Sequence, residues 1–344
     1  MKKELQNWSF QGEVKDLLFQ SLYVGGGTPT AVEPDLLAQV LSKAFKIFNW
    51  MDEPEVTVEA NPESVRRKGL EILKRAGVNR ISLGVQSMSK RGLKALGRLH
   101  DVAASIKAIE IVKDLGFDSL SVDLIYGWPG QEISGWKKEL ESVISFGPDH
   151  ISCYELTVEK GTPLDKAVSA SQVTLPDEDV VLEMMDITEE KLKAAGYVQY
   201  EISNYALPGK ECVHNLGYWT ARPYVGVGVS AASFLPPIRM KQIDHVREYV
   251  KNMETHNIVP AFREILGKEH LFREAVVFGL RKSAGLDICQ MKQAWGYDLV
   301  EYYGDLLKRL MDSGLLEFGS DQERVIKLTK RGRRISNLVF AELI

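Results

Sequence analysis

Leu22-Tyr23-Val24-Gly25-Gly26-Gly27-Thr28-Pro29-Thr30 is the stretch around which the chain is organised. Three apolar, strand-prone residues run into three glycines, and a proline follows. Without a Cβ, the three glycines let the backbone press against a ligand and take positive φ at no steric cost. Pro34 and Asp35 then open an amphipathic run that puts Leu36, Leu37, Val40, Leu41 and Ala44 on one helical face. The stretch reads as strand, ligand-hugging turn, helix. The same residues also suit a plain glycine-rich tight turn. The pattern is neither a Walker loop nor G-x-G-x-x-G, so the usual phosphate fingerprints do not apply.

Working outward, the unit repeats. Strand-like runs follow at Val56 to Glu59, Ile81 to Gln86, Leu120 to Asp123, Ile151 to Thr157 and Tyr197 to Glu201. Helical patterns lie between them at Leu70 to Ala76, Val102 to Leu115 and Trp136 to Ile144, and Gly77 and Gly116 follow where a C′ glycine belongs. Alternation of this kind, with near-continuous apolar strands, predicts a parallel sheet covered by helices. The strands end in polar residues or glycine: Gly26 and Gly27, Glu59, Gln86, Asp123, Thr157. In a β/α barrel such ends converge on one mouth, whereas in a doubly wound sheet they line an edge. Five in succession favour a common pocket.

Past Thr157, Lys160 to Asp177 reads as a surface loop and Asp179 to Ala195 as a helix closed by Gly196. Tyr205 to Trp219 reads as an aromatic-rich loop that sets His214 beside Asn215, and Tyr224 to Ala232 as another glycine-rich strand end. From about His270 the pattern suits a separate helical module. Its helices are Leu271 to Leu280, Ile288 to Ala294, Leu299 to Asp312 and Ile335 to Leu343. A hairpin, Leu315 to Phe318 with Val325 to Leu328, flanks Gly319 to Arg324. Helices with a short β-wing are winged-helix-like. The basic cluster Lys330-Arg331-Gly332-Arg333-Arg334 is too short to argue for DNA.

Composition narrows the field. The 344 residues are 44% hydrophobic and 26% charged, with a net charge of −4, which gives no electrostatic case for nucleic acid or an anionic membrane. No apolar run approaches the length of a membrane span. Met1-Lys2-Lys3-Glu4-Leu5-Gln6-Asn7-Trp8 lacks the apolar region of a signal peptide. Three scattered cysteines, Cys153, Cys212 and Cys289, argue against a disulfide framework and for the cytoplasm.

Gly-Gly-Gly-Thr-Pro-Thr, Val-Glu-Ala-Asn-Pro, Leu-Gly-Val-Gln-Ser, Leu-Gly-Arg-Leu-His, Val-Asp-Leu-Ile-Tyr-Gly and His-Asn-Leu-Gly-Tyr-Trp occur in this order. Together they resemble the radical S-adenosylmethionine (SAM) enzymes related to oxygen-independent coproporphyrinogen III oxidase. The last hexapeptide and the short C-terminal domain are more similar to that family's heme chaperone branch. The resemblance runs from Leu22 to the C-terminus. It implies an α/β fold: a partial parallel β/α barrel over residues 1–235, a linker over 236–269 and a winged-helix-like domain over 270–344.

By position, the resemblance places Gly26, Gly27 and Glu59 at the amino-acid end of SAM, with Glu59 pairing with its ammonium. It assigns Thr28, Gln86, Arg98, Asp123 and Thr157 to a second SAM site of the oxidase. The family also carries a [4Fe–4S] cluster on a three-cysteine loop ahead of the glycine turn. No cysteine precedes Gly25, so the first strand and cluster loop are expected to be absent. That leaves either a truncated product or a relative without radical chemistry. His214 is a packed side chain or a heme-iron ligand; in the resemblance it is the ligand, with Tyr218 and Trp219 stacking on the porphyrin. Cys212 is an alternative thiolate ligand or a small apolar filler. His100 is expected near Arg98 at the mouth, and His150, His245, His256 and His270 as structural or surface residues. The expected function is heme binding and transfer to heme-accepting proteins, with no nucleic acid and at most peripheral membrane contact. The alternative is a fragment of an oxidase acting on a porphyrinogen.

Overall fold

Side chains of a strand alternate between its two faces, and here the alternation separates polar from apolar. The computed structural model describes residues 1–254, 260–319 and 324–344. Seven strands join one sheet: β1 (Leu18–Val24), β2 (Asn49–Ala60), β3 (Arg80–Gln86), β4 (Ser119–Tyr126), β5 (His150–Glu155), β6 (Val198–Gln199) and β7 (Asn204–Ala206). Their order is β1-β2-β3-β4-β5-β7-β6, and the sheet curls into a half-barrel. β2 to β5 are parallel neighbours. Tyr197 to Glu201 is not the further parallel strand that its alternation implied. It supplies the two-residue β6, antiparallel to β7, which is itself antiparallel to β5.

The strands are also not continuous apolar runs. Val56, Val58, Ile81, Leu83, Val85, Leu120, Val122, Leu124 and Ile151 are fully buried on one face. The helices Arg67–Arg75, Val102–Leu115, Ile133–Ser145 and Glu178–Ala194 bury their own apolar stripes, among them Leu70, Ile109, Trp136, Leu140 and Met184. Trp136 packs on Tyr126 with ring centroids 5.4 Å apart, and its indole N–H donates to Thr188 Oγ1 at 2.9 Å. The other face carries Thr57, Glu59, Arg80, Ser82, Ser121, Asp123, His150 and Ser152. Register sets Glu59 beside Ser82, Ser82 beside Ser121, and Ser121 beside His150.

The chain divides into two compact units. One comprises Ser21–Ala38 and Glu55–Glu211, and holds the mouth of the half-barrel. Its segment 160–177, expected as a loop, contains the short helix Pro163–Ser169. The other comprises Met1–Gln20, Gln39–Pro54 and Cys212–Ile344. Helices Lys2–Ser9 and Gly12–Lys15 precede β1, so the strand starts at Leu18, ahead of the expected Leu22. Trp8, Val14 and Leu235 form a small core with Phe19, Phe48, Val225, Val227 and Met240 packed against it. Residues 232–265 carry β8 (Ala232–Leu235), β9 (Ile238–Lys241), the helix Val246–Glu254 and β10 (Phe262–Ile265). These strands form an antiparallel sheet in the order β10-β9-β8. His256 lies outside the described residues.

The C-terminal part follows its periodicity. Helices Lys268–Arg281, Ile288–Trp295 and Leu299–Asp312 precede the antiparallel pair β12 (Leu316–Phe318) and β13 (Val325–Leu328), with β11 (Leu286–Asp287) completing a three-stranded wing. Residues 320–323, between β12 and β13, lie outside the described residues. Asp298 caps the third helix through the N–H groups of Val300 and Glu301.

Candidate functional site

The mouth of the half-barrel is built from the loops that follow β1 to β5. At Gly25 the backbone runs so close to β2 that an added Cβ would lie 2.7 Å from the Glu59 carboxyl carbon. Tyr23 Oη donates to Glu59 Oε1 at 2.9 Å, and Gly26 N–H donates to Glu59 Oε2 at 3.2 Å. Gly26 and Gly27 take φ of +86° and +148°, and a Cβ on either would meet open space. The glycines thus serve two ends: close approach at Gly25, and a left-handed turn at Gly26 and Gly27 that leaves room above the strand ends.

Beside them Asn61 Nδ2 donates to Thr28 Oγ1 at 2.6 Å. A Cβ on Gly84 would lie 2.8 Å from Gln86 Nε2 and 3.0 Å from Asn61 Oδ1, so these side chains close over the glycine. Gln86 has φ of +68° at an irregularity in the β3–β4 register, a strained position for a residue with a Cβ. Glu139 fixes the next residues: its Oε2 accepts from Ser87 Oγ at 2.5 Å and from Met88 N–H at 2.7 Å. Through Gln131, whose Oε1 accepts from Gly127 N–H at 2.7 Å, the same network reaches the loop after β4. Burial pushes the Glu139 carboxyl up, against the pull of those donors.

Deeper on the polar face, Asp123 accepts from Ser82 Oγ at 3.1 Å, with the Ser152 hydroxyl nearby. Burial raises its pKa, the two hydroxyls and the Arg80 charge oppose that rise, and the Glu59 charge adds to it. Below lies His150, bonded to Ser121 Oγ at 2.8 Å and Tyr200 Oη at 2.9 Å. Burial, then the Arg80 charge, hold it well below the ordinary histidine range, so the imidazole stays neutral.

Gly26, Gly27, Thr28, Glu59, Gln86 and Asp123 therefore gather at one mouth. Arg98 and Thr157 sit exposed on the segments after β3 and β5, and neither side chain joins this hydrogen-bonded group. His100 lies two residues past Arg98, against Val85, which precedes Gln86, and Glu63, which follows Asn61 and Pro62. It is buried, with Nε2 3.1 Å from Val85 O and Nδ1 3.2 Å from Glu63. The sequence reading gave no role to Tyr23, Asn61, Ser82, Ser152 or Glu139. Asn61 stood in a quoted motif, and the two serines were visible only as every second residue of a strand.

In the other unit, His214, Tyr218 and Trp219 do not lie on a loop. Val213–Trp219 is a helix, because His214 and Tyr218 meet across one turn and Leu216 O accepts from Thr220 Oγ1 at 2.8 Å. His214 Nε2 lies 3.0 Å from Tyr218 Oη. Tyr218 meets Tyr224 edge-on at 4.9 Å, and burial pushes its phenol up to about 12. The Arg281 guanidinium lies 4.3 Å over the Trp219 ring, so one face of that indole is already covered by a cation. Cys212 is buried ahead of the helix.

Chemically, a carboxylate beside open glycine backbone suits an ammonium-bearing ligand. A half-buried imidazole among aromatic rings suits iron or packing. The thiols are Cys153 and Cys212, both buried, and Cys289, exposed. Among the described residues no three His, Cys, Asp or Glu side chains group to hold a metal ion. Among the described residues, then, no set of side chains fits a cluster held by three thiolates.

Residues 12–143 match the Radical SAM superfamily and residues 266–335 the HemN C-terminal domain. The heme chaperone HemW of Bacillus subtilis is 31% identical over 94% of this chain and 85% of its own. That of Mycobacterium tuberculosis strain H37Rv is 33% identical over 94% of this chain and 80% of its own. Among solved structures, coproporphyrinogen III oxidase (HemN) from Escherichia coli, a radical SAM enzyme, has the same fold. Its TM-score is 0.82 at 22% identity, covering 99% of this chain and 81% of that one. With relatives this similar across most of both lengths, the chain belongs to the heme chaperone HemW family of the radical SAM superfamily.

Proposed function

We propose that this chain binds heme and passes it to heme-accepting proteins. The observation that carries the reading is the likeness to heme chaperones over 94% of the chain. The helix that pairs His214 with Tyr218 supports it. His214 is the proposed iron ligand, with Tyr218 and Trp219 as the aromatic wall. The oxidase alternative draws on likeness of fold and on the HemN C-terminal domain at residues 266–335, neither of which carries a substrate.

The mouth of the half-barrel is proposed as the SAM site. Glu59 takes the ammonium, Gly26 and Gly27 approach the amino-acid end, and Thr28, Gln86 and Asp123 line the rest. Arg98 and Thr157, exposed on the flanking loops, would act as outer contacts. When bound, SAM supplies a sulfonium and an adenosyl group; this chain's residues hold and orient it. Among the described residues no three thiolates group together, so no step is routed through a cluster here. No helix is long and apolar enough to cross a membrane among the described residues. The free cysteines support a cytoplasmic setting.

Hemin titration followed in the Soret band tests the reading. Wild-type protein is expected to bind one hemin, and His214→Ala to bind more weakly with a shifted band. Equal binding and equal spectra would remove His214 as ligand, and no binding by the wild type would remove the heme reading.

A further inference from the structure

The helix that carries His214 ends in a turn that holds a cation in place. Arg222 N–H donates to Gly217 O at 3.0 Å, and Ala221 N–H donates to Tyr218 O at 3.0 Å. This crossed pair of bonds is a Schellman cap, and its left-handed position, φ +52°, is filled by Ala221 where glycine is usual. Arg222 is thereby fixed just past Tyr218 and Trp219. Its guanidinium donates to the neutral carboxamide oxygen of Gln20.

Lys282 directly follows the helix Lys268–Arg281, and this helix packs against the His214 helix through Phe278 and Trp219, whose rings lie 6.3 Å apart. Lys282 is half-buried, and burial together with the neighbouring Arg222 charge holds its ammonium below the usual lysine range. Among the described residues neither Arg222 nor Lys282 makes an ion pair with a carboxylate. One cation thus follows the His214 helix at its capping turn, and a second directly follows the helix packed against it, beside the Arg281 whose guanidinium covers the Trp219 ring. Such a pair is unfavourable until a negative group arrives.

We propose that Arg222 and Lys282 form an anion subsite that takes the propionate carboxylates of a porphyrin seated on the His214 helix. The proposal rests on the heme reading above. A metalloporphyrin has a flat apolar body and two carboxylates on one edge. The aromatic helix offers a wall for the body, and the two cations offer charge-assisted donors for the edge. The competing explanation is that both cations only offset the partial negative charge of helix C-termini. In that case they act on stability and are blind to which porphyrin is bound.

The experiment compares hemin with hemin dimethyl ester, whose propionates carry no charge. The wild type, Arg222→Ala, Lys282→Gln, the double variant and Arg222→Lys are titrated, and far-UV circular dichroism confirms that each is folded. Hemin affinity is expected to fall roughly tenfold or more in the double variant and to recover partly in Arg222→Lys, while ester affinity stays at the wild-type value. Equal losses for both ligands, or unchanged hemin affinity, would overturn the subsite and leave heme binding intact. A wild type that takes neither ligand would overturn both.

Discussion

Replacing Gly25 by alanine isolates what the glycine turn does. Gly25 is not among the positive-φ glycines, so the backbone tolerates a side chain there. The obstacle is space: the new Cβ would sit 2.7 Å from the Glu59 carboxyl carbon and Oε1 and 2.8 Å from Oε2. The atoms in the way are the far end of a flexible, half-exposed side chain. Glu59 can swing aside, leaving Tyr23 Oη and Gly26 N–H to water, for a stability loss of about 1 kcal/mol or less. Ligand binding is affected far more. If Glu59 holds the SAM ammonium, its displacement removes a charged hydrogen bond of about 1.5–3 kcal/mol, or roughly 10- to 100-fold in affinity. Isothermal titration with SAM, alongside thermal melts, separates the two effects. Glu59→Gln is expected to lose a similar amount, and the double variant little more than either alone, because both changes act through one carboxylate. Wild-type affinity in Gly25→Ala, or strictly additive losses, would refute this use of the turn; absence of SAM binding by the wild type would remove the ammonium assignment.

Three further expectations follow from the same geometry. Glu139→Gln puts a single acceptor oxygen and an amide N–H where two donors, Ser87 Oγ and Met88 N–H, converge; urea unfolding should show a loss of about 1–3 kcal/mol, and a neutral result would deny the clamp. The lowered pKa of His150 means that the unfolded chain takes up a proton below pH ~6.5 that the native state refuses. Its contribution is therefore full above that pH and is lost as pH falls, at up to about 1.4 kcal/mol per unit. His150→Asn should flatten that part of the stability profile between pH 7.5 and 5.5, and an unchanged slope would speak against it. Gly285→Ala meets both obstacles at once, φ +74° and a Cβ 2.3 Å from Ile326 O; a loss above about 2 kcal/mol is expected in chemical denaturation, and a wild-type midpoint would contradict the packing.

The helices were the most legible part of the fold because their ends carry local chemistry. Val102–Leu115 lies between Asp101, which accepts from Ala104 N–H, and Gly116 at φ +64°, and those two residues alone set both boundaries. Leu299–Asp312 was equally readable, but its interior break at Gly304, φ +45° and ψ −120°, leaves no mark on the apolar spacing. The strands were located by their apolar residues, and for that reason Ser82, Ser121 and Ser152 went unread: small hydroxyls between large apolar neighbours do not interrupt a run. The His214 helix was hidden by Pro208, Gly209 and Gly217, which signal a loop in any short window. Pairings across distant segments, Tyr23 with Glu59 or Arg281 with Trp219, exist only after folding and have no local signature.

Where the heme sits is the central claim, and hydrogen–deuterium exchange with and without hemin tests it on the unmodified chain. Hemin is expected to slow exchange in the peptides that cover residues 212–224, with the segment around Lys282 protected as well. Protection confined to the glycine turn and the end of β2, or no protection anywhere, would contradict it.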